Sequence, residues 1–147
     1  MKPARLYLVS CVAAKLARPA PARDLYVSPW FRKARAHVEA QGGAWLILSA
    51  KHGLIDPAEA IAPYETTLNT MNAADRRTWA SRVIDQLEAR APVADQAVIL
   101  AGTNYRENLL PWLQARFRQV SIPMQGLGIG QQLQWLSRAQ LTPQGAA

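Results

Sequence analysis

Four apolar runs alternate with amphipathic segments along the chain. The runs are rich in Leu, Ile, Val and Ala, and they lie at Arg5–Ser10, Ala44–Ser49, Gln96–Ala101 and Gln119–Pro123. None of them alternates strictly between apolar and polar residues, as a strand with one face in water does. Continuous apolar character is typical of parallel strands that are covered on both faces. The pattern therefore predicts a short, mainly parallel sheet of four strands.

Helical periodicity fills the segments between these strands. Ser28 followed by Pro29 is an N-cap with proline at the first helical position, and Gly42 ends that helix. Asn72 and Asp75 form a capping pair for a second, longer helix. The order β-α-β-α-β-α-β-α predicts an α/β fold, specifically a three-layer αβα sandwich with right-handed crossovers.

Apolar stripes predict which face of each helix is buried. The stripe residues are Phe31, Ala34 and Val38 in the first helix, Trp79, Val83, Ile84 and Leu87 in the second, and Leu133 and Leu136 in the last. A third helix is predicted to be capped by Thr103 or Asn104, with Pro111 kinking or restarting it.

A single domain accounts for the length of 147 residues. We predict one α/β domain over residues 1–142 and a flexible C-terminal tail over residues 143–147. The stretches 11–24 and 52–71 read as irregular functional loops. No apolar run approaches the roughly 20 residues of a membrane span, and no signal peptide is evident, so we expect a cytoplasmic location and no membrane partner.

The single cysteine and the two histidines limit metal and redox chemistry. Cys11 alone excludes an internal disulfide and a multi-cysteine zinc site. His52 has only His37, on a helix, as a second histidine, so a histidine-based metal site is not expected. The sequence therefore predicts no metal and no organic cofactor.

The charge balance indicates a polyanionic partner. Seventeen Lys and Arg against ten Asp and Glu give a net charge of +7, and thirteen of the seventeen are arginine. The planar guanidinium fork suits phosphate, so nucleic acid is the simplest partner, and no obligate protein partner is inferred. A small soluble protein that is merely basic is the alternative. The basic residues cluster in two groups: Lys15, Arg18, Arg23, Arg32, Lys33 and Arg35, and Arg76, Arg77 and Arg82.

Polar groups follow the carboxyl end of each predicted strand. Because the carboxyl ends of parallel strands share one edge of a sheet, these groups are expected to converge on one cleft. In strand order they are Ser10 and Cys11 with Lys15, then Ser49 with Lys51 and His52, then Gly102, Thr103, Asn104 and Tyr105, and finally the segment Gln125–Gly130 with Gly126 and Gly128.

Three residues are candidates for catalysis. Glu65, in the Pro63-Tyr64-Glu65 segment that returns to the cleft, is the best-placed carboxylate for activating water or stabilising an oxocarbenium ion. Lys51 would neutralise a phosphate or polarise a leaving group, and His52 would act as an acid, a base or a hydrogen-bond donor. The structural alternatives are that Glu65 is a solvated loop glutamate, that Lys51 is an exposed turn lysine, and that His52 caps a strand end.

Ten further residues are predicted to bind substrate. Tyr64 would stack on a nucleobase, or else pack under its loop, and the amides at Gly126 and Gly128 would hold a phosphate. Cys11 has a plausible position for a nucleophile after a strand, but no sequence signal supplies its base, and it is better explained as a packing or rim residue. The full set is Ser10, Cys11, Lys15, Tyr26, Ser49, Tyr64, Thr103, Tyr105, Gly126 and Gly128.

Several of these segments resemble a family of uncharacterised bacterial domains. They are Leu8–Cys11 with Lys15, Asp24–Ser28 with Phe31, Ile47–Ile55, and Pro63–Leu68. That family is distantly similar to the YaaA peroxide-stress proteins, although Cys11 interrupts their Ser-Pro-Ala-Lys pattern. The resemblance implies an α/β domain associated with DNA, in preference to RNA, with relatives near nucleobase modification and phage defence. It also implies a fold analogous to uracil-DNA-glycosylase-like domains.

Together these features predict a hydrolase, a DNA glycosylase-like N-glycosidase. It would excise a base, in our reading a modified one, in antiviral defence or in the repair of DNA damage. One alternative is a non-catalytic DNA-binding protein of stress protection, as in the YaaA proteins. Another is an enzyme that acts on free nucleotides or nucleosides.

Overall fold

A computed structural model of the protein describes residues 4–141. In these residues a five-stranded, mostly parallel sheet combines with six α-helices, which confirms the mixed α/β class. The sheet strands are β1 (Arg5–Ser10), β3 (Ala44–Ser49), β4 (Gly53–Ile55), β6 (Gln96–Leu100) and β7 (Gln119–Ser121), in the spatial order β4-β3-β1-β6-β7. The predicted tail at 143–147 lies outside the described residues.

Short elements and helices complete the described chain. A two-stranded ribbon consists of β2 (Ala20–Pro21) and β5 (Ala60–Ile61), and a 3-10 turn spans Leu68–Thr70. The helices are α1 (Ala22–Leu25), α2 (Pro29–Gln41), α3 (Ala73–Arg90), α4 (Thr103–Arg106), α5 (Leu110–Arg116) and α6 (Ile129–Leu141). None of the helices between residues 4 and 141 has the length and apolar character of a membrane span.

The central strand β1 organises the sheet. It pairs in parallel with β3 on one side and with β6 on the other, placing Val9 between Ile47 and Leu100. All three of these side chains are buried. The predicted bounds of β1 and β3 are confirmed, whereas β6 and β7 end one and two residues earlier than predicted. Burial on both faces explains why these strands read as continuous apolar runs.

The prediction of four strands is wrong because β4 was missed. Strand β4 runs antiparallel to β3, opposite Leu48 and Ile47, and a tight turn over residues 50–52 connects the two. Gly53 has a φ of 77°, in the left-handed region that glycine adopts without steric cost. The Lys51-His52-Gly53 step is therefore a hairpin turn.

The predicted helix starts agree with the structure in α2 and α3. The Ser28 hydroxyl accepts a hydrogen bond of 3.1 Å from the Phe31 amide, and the Asn72 side chain accepts one of 2.8 Å from the Asp75 amide. These bonds satisfy amides that have no partner within the helix. Helix α2 ends at Gly42, whose φ of 73° is left-handed, as expected for a helix C-cap.

The predicted cap of the third helix is wrong. Helix α4 begins at Thr103 with Gly102 in the cap position, and no side chain caps it. The Thr103 hydroxyl instead accepts a hydrogen bond of 3.3 Å from the Arg106 guanidinium. Pro111 restarts the helix as predicted, because it lies in the first turn of α5, where its missing N–H costs nothing.

The two loops predicted to be irregular contain short strands and are tied together. Ala20 in β2 pairs with Ile61 in β5. Beside this pair, the Ala22 and Arg23 amides donate to backbone carbonyls of the turn between β4 and β5, at 2.8 Å and 2.9 Å. Three-residue and two-residue strands are too short to leave a periodic pattern in the sequence. This pairing joins the two loops to each other.

The predicted buried faces of the helices agree with the structure, with two additions. In α3, Ile84 is only half-buried, and in α6, Leu133 is half-buried while Leu136 is fully buried. The additions are Ala80, which is buried in α3, and His37, which is fully buried in α2. The other predicted residues are all buried, namely Phe31, Ala34, Val38, Trp79, Val83 and Leu87.

His37 is a polar residue in an apolar environment. Its ring packs edge-on against Trp135 of α6 at a centroid distance of 5.2 Å and against Tyr7 at 6.2 Å. Neither ring nitrogen has a hydrogen-bond partner in the described part of the chain. Burial lowers the pKa of His37 below its ordinary value, because the protonated ring would lose its hydration.

This shift predicts a stability that decreases in acid. Below the ordinary histidine pKa the unfolded chain binds a proton at His37 that the folded protein binds less readily, so the free energy of unfolding falls as the pH falls. Taking the pH from about 8 to about 5 should therefore lower the melting temperature of the wild type more than that of a His37→Gln variant. Equal pH dependence of the melting temperature in the wild type and in His37→Gln would contradict the prediction. His52→Gln is the control, because it removes the second histidine and leaves His37 in place.

Candidate functional site

A cavity of about 990 Å³ lies at the carboxyl edge of the parallel strands. Its walls come from the ends of β1 and β6, the segment between β5 and α3, and the beginnings of α2 and α6. This is the edge at which open α/β sheets bind their ligands. The structure places seven of the predicted site residues in these walls: Ser10, Cys11, Lys15, Tyr64, Glu65, Thr103 and Tyr105.

Two predicted residues lie behind the cavity wall and are reached through Tyr64. The Tyr64 hydroxyl is 2.7 Å from the Ser49 hydroxyl and 2.6 Å from the Tyr26 hydroxyl, and all three residues are buried. The Ser49 hydroxyl also accepts a hydrogen bond of 3.0 Å from the His52 amide. Burial raises the pKa of Tyr26 and of Tyr64, so both phenols stay neutral.

A second hydroxyl, that of Tyr105, joins three segments of the wall. It accepts a hydrogen bond of 3.3 Å from the Leu68 amide and lies 3.4 Å from the Thr67 hydroxyl. The Cys11 thiol donates to the same oxygen at 3.7 Å. Burial is the main cause that raises the pKa of Tyr105 to about 12. These contacts hold the loop before α3 against the ends of β1 and β6.

Lys15 lies over the aromatic surface of the cavity. Its backbone forms a bridge with Tyr26, and its amino nitrogen is 4.4 Å from the centre of the Tyr64 ring and 5.7 Å from that of Tyr26. Partial burial lowers the pKa of the Lys15 amine, although the nearby Cys11 and Glu65 oppose the shift. The cavity therefore contains a cation that is more easily deprotonated than a surface lysine.

Glu65 provides a carboxylate on the same wall. It follows Tyr64 directly in the chain, lines the cavity and is exposed to solvent. Within residues 4–141 its carboxylate forms no hydrogen bond and no ion pair. It is therefore available to a bound ligand.

The structure does not bring Lys51 and His52 into the cavity. Both lie in the hairpin turn, where the Lys51 carbonyl accepts a hydrogen bond of 2.9 Å from Arg82 and the His52 carbonyl accepts one of 3.2 Å from Gln86. The His52 ring contacts the edge of Tyr64, at 5.5 Å between ring centres. Burial, followed by the charges of Lys51 and Arg82, lowers the pKa of His52. The antiparallel return of β4 is the reason that the turn lies outside the cavity.

The two predicted glycines line a smaller, adjacent cavity. It has a volume of about 390 Å³ and shares Gly102 and Thr103 with the larger one. The Gly128 amide is already occupied, because it donates a hydrogen bond of 3.0 Å to the Gln131 side chain. The Gly126 φ of 82° is left-handed. Their predicted phosphate contact would therefore form beside the main cavity.

Several polar or aromatic wall residues, among them Trp30, Asn69, Asn104 and Gln132, were absent from the predicted substrate-binding set. Trp30 donates a hydrogen bond of 2.8 Å to Gln132, closing the wall between α2 and α6. Asn104 donates one of 3.0 Å to Asn69 across the wall between α4 and the 3-10 turn. Asn104 was predicted among the polar groups at the end of β6, although not among the substrate-binding residues. Trp30 follows a helix cap, and nothing in the sequence separates it from a packing tryptophan.

The rest of the described surface offers less for chemistry. A cavity of about 610 Å³ lies at the amino ends of β1 and β3, but Asp56 and Arg90 in its wall already face each other at 3.8 Å. Among residues 4–141, no three His, Cys, Asp or Glu side chains are grouped as metal ligands would be. The larger cavity at the carboxyl edge is therefore the candidate site.

Comparison with known proteins gives a family. A model described as a family of unknown function (DUF6884) matches residues 6–138. The uncharacterized protein YfjM of Bacillus subtilis (strain 168) is 30% identical over 149 aligned positions, which cover 92% of this chain and 94% of that protein. No solved structure matches the chain. These findings confirm the predicted likeness to an uncharacterised bacterial domain family, whereas the likeness to YaaA proteins and to uracil-DNA-glycosylase-like folds stays a prediction.

Proposed function

Because the chain belongs to this family of unknown function (DUF6884), whose description assigns no activity, we propose a function from the cavity itself. The protein is a DNA N-glycosidase that removes a base, in our proposal a modified one, from foreign or damaged DNA. The carrying observation is an unpaired carboxylate, Glu65, on the wall of an aromatic cavity that also contains a cation. The fold would be the predicted three-layer sandwich, with the cavity at one edge of its sheet.

The size and lining of the cavity suit a flipped nucleotide. Its volume of about 990 Å³ is at the upper end of the range for ligand sites, about 300–1,000 Å³. The half-buried Trp30 ring offers a surface for a base, and base stacking on aromatic rings does not depend on the base. Asn104 and Asn69 present amide groups that can read the polar edge of a base.

Glu65 would act at the sugar carbon C1′. The bond from C1′ to the base nitrogen breaks, the base leaves with the bonding electrons, and positive charge develops on the sugar. A carboxylate stabilises this charge or takes a proton from the attacking water. The departing base takes up a proton, and the product is an abasic deoxyribose. These steps use only groups that line the cavity.

Release of a free base from DNA is the direct test. Purified protein is incubated with phage and bacterial DNAs that carry different modified bases, and small products are identified by mass spectrometry. A released base with an abasic site in the DNA supports the proposal. Products released only from mononucleosides or mononucleotides would favour an enzyme of free nucleosides. No release from any of these substrates would contradict both.

A non-catalytic DNA-binding role has one specific observation in its favour. Lys51, Arg77 and Arg82 are exposed on the hairpin turn and on α3, and none of them has an ion-pair partner among the described residues. Phosphate contacts release counterions, so the slope of log K against log salt reports their number, at about 0.9 per contact.

Replacing Lys51, Arg77 and Arg82 by Ser should reduce that salt slope by about two to three if this surface contacts the backbone. Arg118→Ser, at an exposed position just before β7, is the matched control and should leave the slope unchanged. An unchanged slope in the triple variant would exclude this surface. Salt-dependent binding without base release would make binding the main function.

A further inference from the structure

Among the described residues, Lys15 contributes the one amine in the cavity wall, and its surroundings favour a reaction at the nitrogen. Its position is fixed by the backbone. The Leu16 amide donates to the Leu25 carbonyl at 2.9 Å, and the Val27 amide donates to the Ala14 carbonyl at 3.0 Å. These bonds continue the bridge between Lys15 and Tyr26 on both sides. The backbone at Lys15 is therefore held in place, and the side chain extends into the cavity.

The Lys15 amine is held in place by its contacts, but no carboxylate among the described residues neutralises its charge. Its hydrogen-bond acceptor is the Ala13 carbonyl at 3.3 Å, and no carboxylate forms an ion pair with it in the described part of the chain. Its contact with the face of Tyr64, at 4.4 Å, positions the nitrogen and excludes water from one side. Burial without an ion pair eases loss of the proton, and a neutral lysine amine is a nucleophile toward carbonyl carbons.

We propose that Lys15 forms an imine with the aldehyde of an abasic deoxyribose, and that the protein is thereby a lyase as well as an N-glycosidase. This inference rests on the proposed function, because removal of the base is what generates the abasic sugar. The open-chain form of that sugar has an aldehyde at C1′, which reacts with a neutral amine. A surface lysine gives up its proton less readily than Lys15 and should react more slowly.

The steps balance without a cofactor. The Lys15 nitrogen attacks C1′, a C–N bond forms, and the carbonyl oxygen leaves as water, giving a protonated imine. The imine acidifies C2′, a carboxylate such as that of Glu65 takes the C2′ proton, and the C3′–O bond breaks with departure of the 3′ phosphate. Water then hydrolyses the imine and restores the Lys15 amine.

The other lysines are placed differently. Lys33 donates a hydrogen bond of 2.6 Å to Ser137 on α6, and Lys51 is exposed in the hairpin turn. Lys2 lies outside the described residues. Because the chain has only these four lysines, an adduct can be assigned to one of them by peptide mass mapping.

The test supplies the abasic site ready-made, so it does not depend on base excision. A 5′-labelled duplex with one abasic deoxyribose, made by removing uracil from a deoxyuridine, is incubated with the full chain and borohydride. Borohydride reduces an imine to a stable amine, which appears as a protein–DNA adduct on a denaturing gel. We expect an adduct that maps to Lys15, and strand cleavage when borohydride is left out.

Two variants and one analogue make the result decisive. Lys15→Arg keeps the charge, but a guanidinium with a pKa above about 12 has no free amine, so adduct and cleavage should be lost. Lys33→Arg, in α2 and outside the cavity wall, is the matched control and should retain both. A duplex with a tetrahydrofuran residue lacks the aldehyde, so it should give no adduct, and Lys15→Arg should bind it as the wild type does.

Several outcomes would overturn the inference. They are a wild type that binds the abasic duplex without forming an adduct, an adduct on another amine, and an adduct that survives in Lys15→Arg. An adduct on Lys15 without strand cleavage would overturn the lyase activity and leave the imine. Base release by a wild type that forms no adduct would keep the proposed N-glycosidase and remove only the role of Lys15. An adduct on Lys15 without base release from any DNA would keep the role of Lys15 and remove the proposed N-glycosidase.

Discussion

Replacing Glu65 by Gln should slow base release from DNA by about 100- to 10,000-fold, the range that a positioned carboxylate contributes. The amide has nearly the same shape but can neither carry the negative charge that stabilises the sugar cation nor accept a proton from water. Glu65 is exposed and unpaired among the described residues, so the substitution should leave the melting temperature unchanged. Single-turnover release of the base is the measurement.

A matched substitution separates the carboxylate from charge in general. Glu59→Gln removes an exposed glutamate from the turn before β5, outside the cavity wall, and should leave base release unchanged. Binding of a duplex with an abasic analogue should also be unchanged in Glu65→Gln, because the change concerns the chemical step. Equal rates in the wild type and Glu65→Gln would remove Glu65 from the mechanism while leaving the cavity as a candidate site.

Replacing Gly53 by Ala should lower the free energy of unfolding by about 2–4 kcal/mol. Part of this is the left-handed backbone at φ 77°, which costs an L-residue about 1–2 kcal/mol. In addition, the new Cβ would overlap the Gln86 carboxamide. That group accepts a hydrogen bond of 2.8 Å from the Leu54 amide and donates one of 3.2 Å to the His52 carbonyl. Its displacement leaves a buried amide without a partner.

Gly42→Ala is the control for the energetic cost of the left-handed backbone alone. Gly42 has nearly the same φ, 73°, but a Cβ there would meet no atom within 4 Å. Its substitution should therefore cost only about 1–2 kcal/mol. Urea unfolding of both variants measures the difference, which is the contribution of the Gln86 contact. A Gly53→Ala variant no less stable than Gly42→Ala would show that Gln86 moves aside without loss.

Much of the fold could be predicted because its signals are local. The apolar runs of β1 and β3 have the correct bounds, since a parallel strand covered on both faces must be apolar throughout. The caps at Ser28 and Asn72 were also predicted, because a cap joins residues only three positions apart. The third cap failed because Gly102 holds that position without a side chain.

The candidate site was predicted in part for the same reason. The end of each parallel strand is visible in the sequence, so residues that follow β1 and β6, such as Cys11 and Thr103, were expected to share one edge. The hairpin turn between β3 and β4 is the exception, because β4 runs antiparallel to β3. The three residues of β4 are too few to give a periodic signal. The sequence therefore placed Lys51 and His52 at a strand end that opens into the cleft, whereas they lie in a turn beside it.

By itself the sequence determined the parallel strands, the main helices and the edge at which polar groups collect, because each depends on neighbouring residues in the chain. The tertiary structure decided which of these groups share the cavity. It placed Lys15 over the Tyr64 ring, 49 positions away in the chain, and buried Ser49 behind it. It also buried His37 between α2 and α6. Contacts between distant segments depend on how helices and loops pack, which no local pattern encodes.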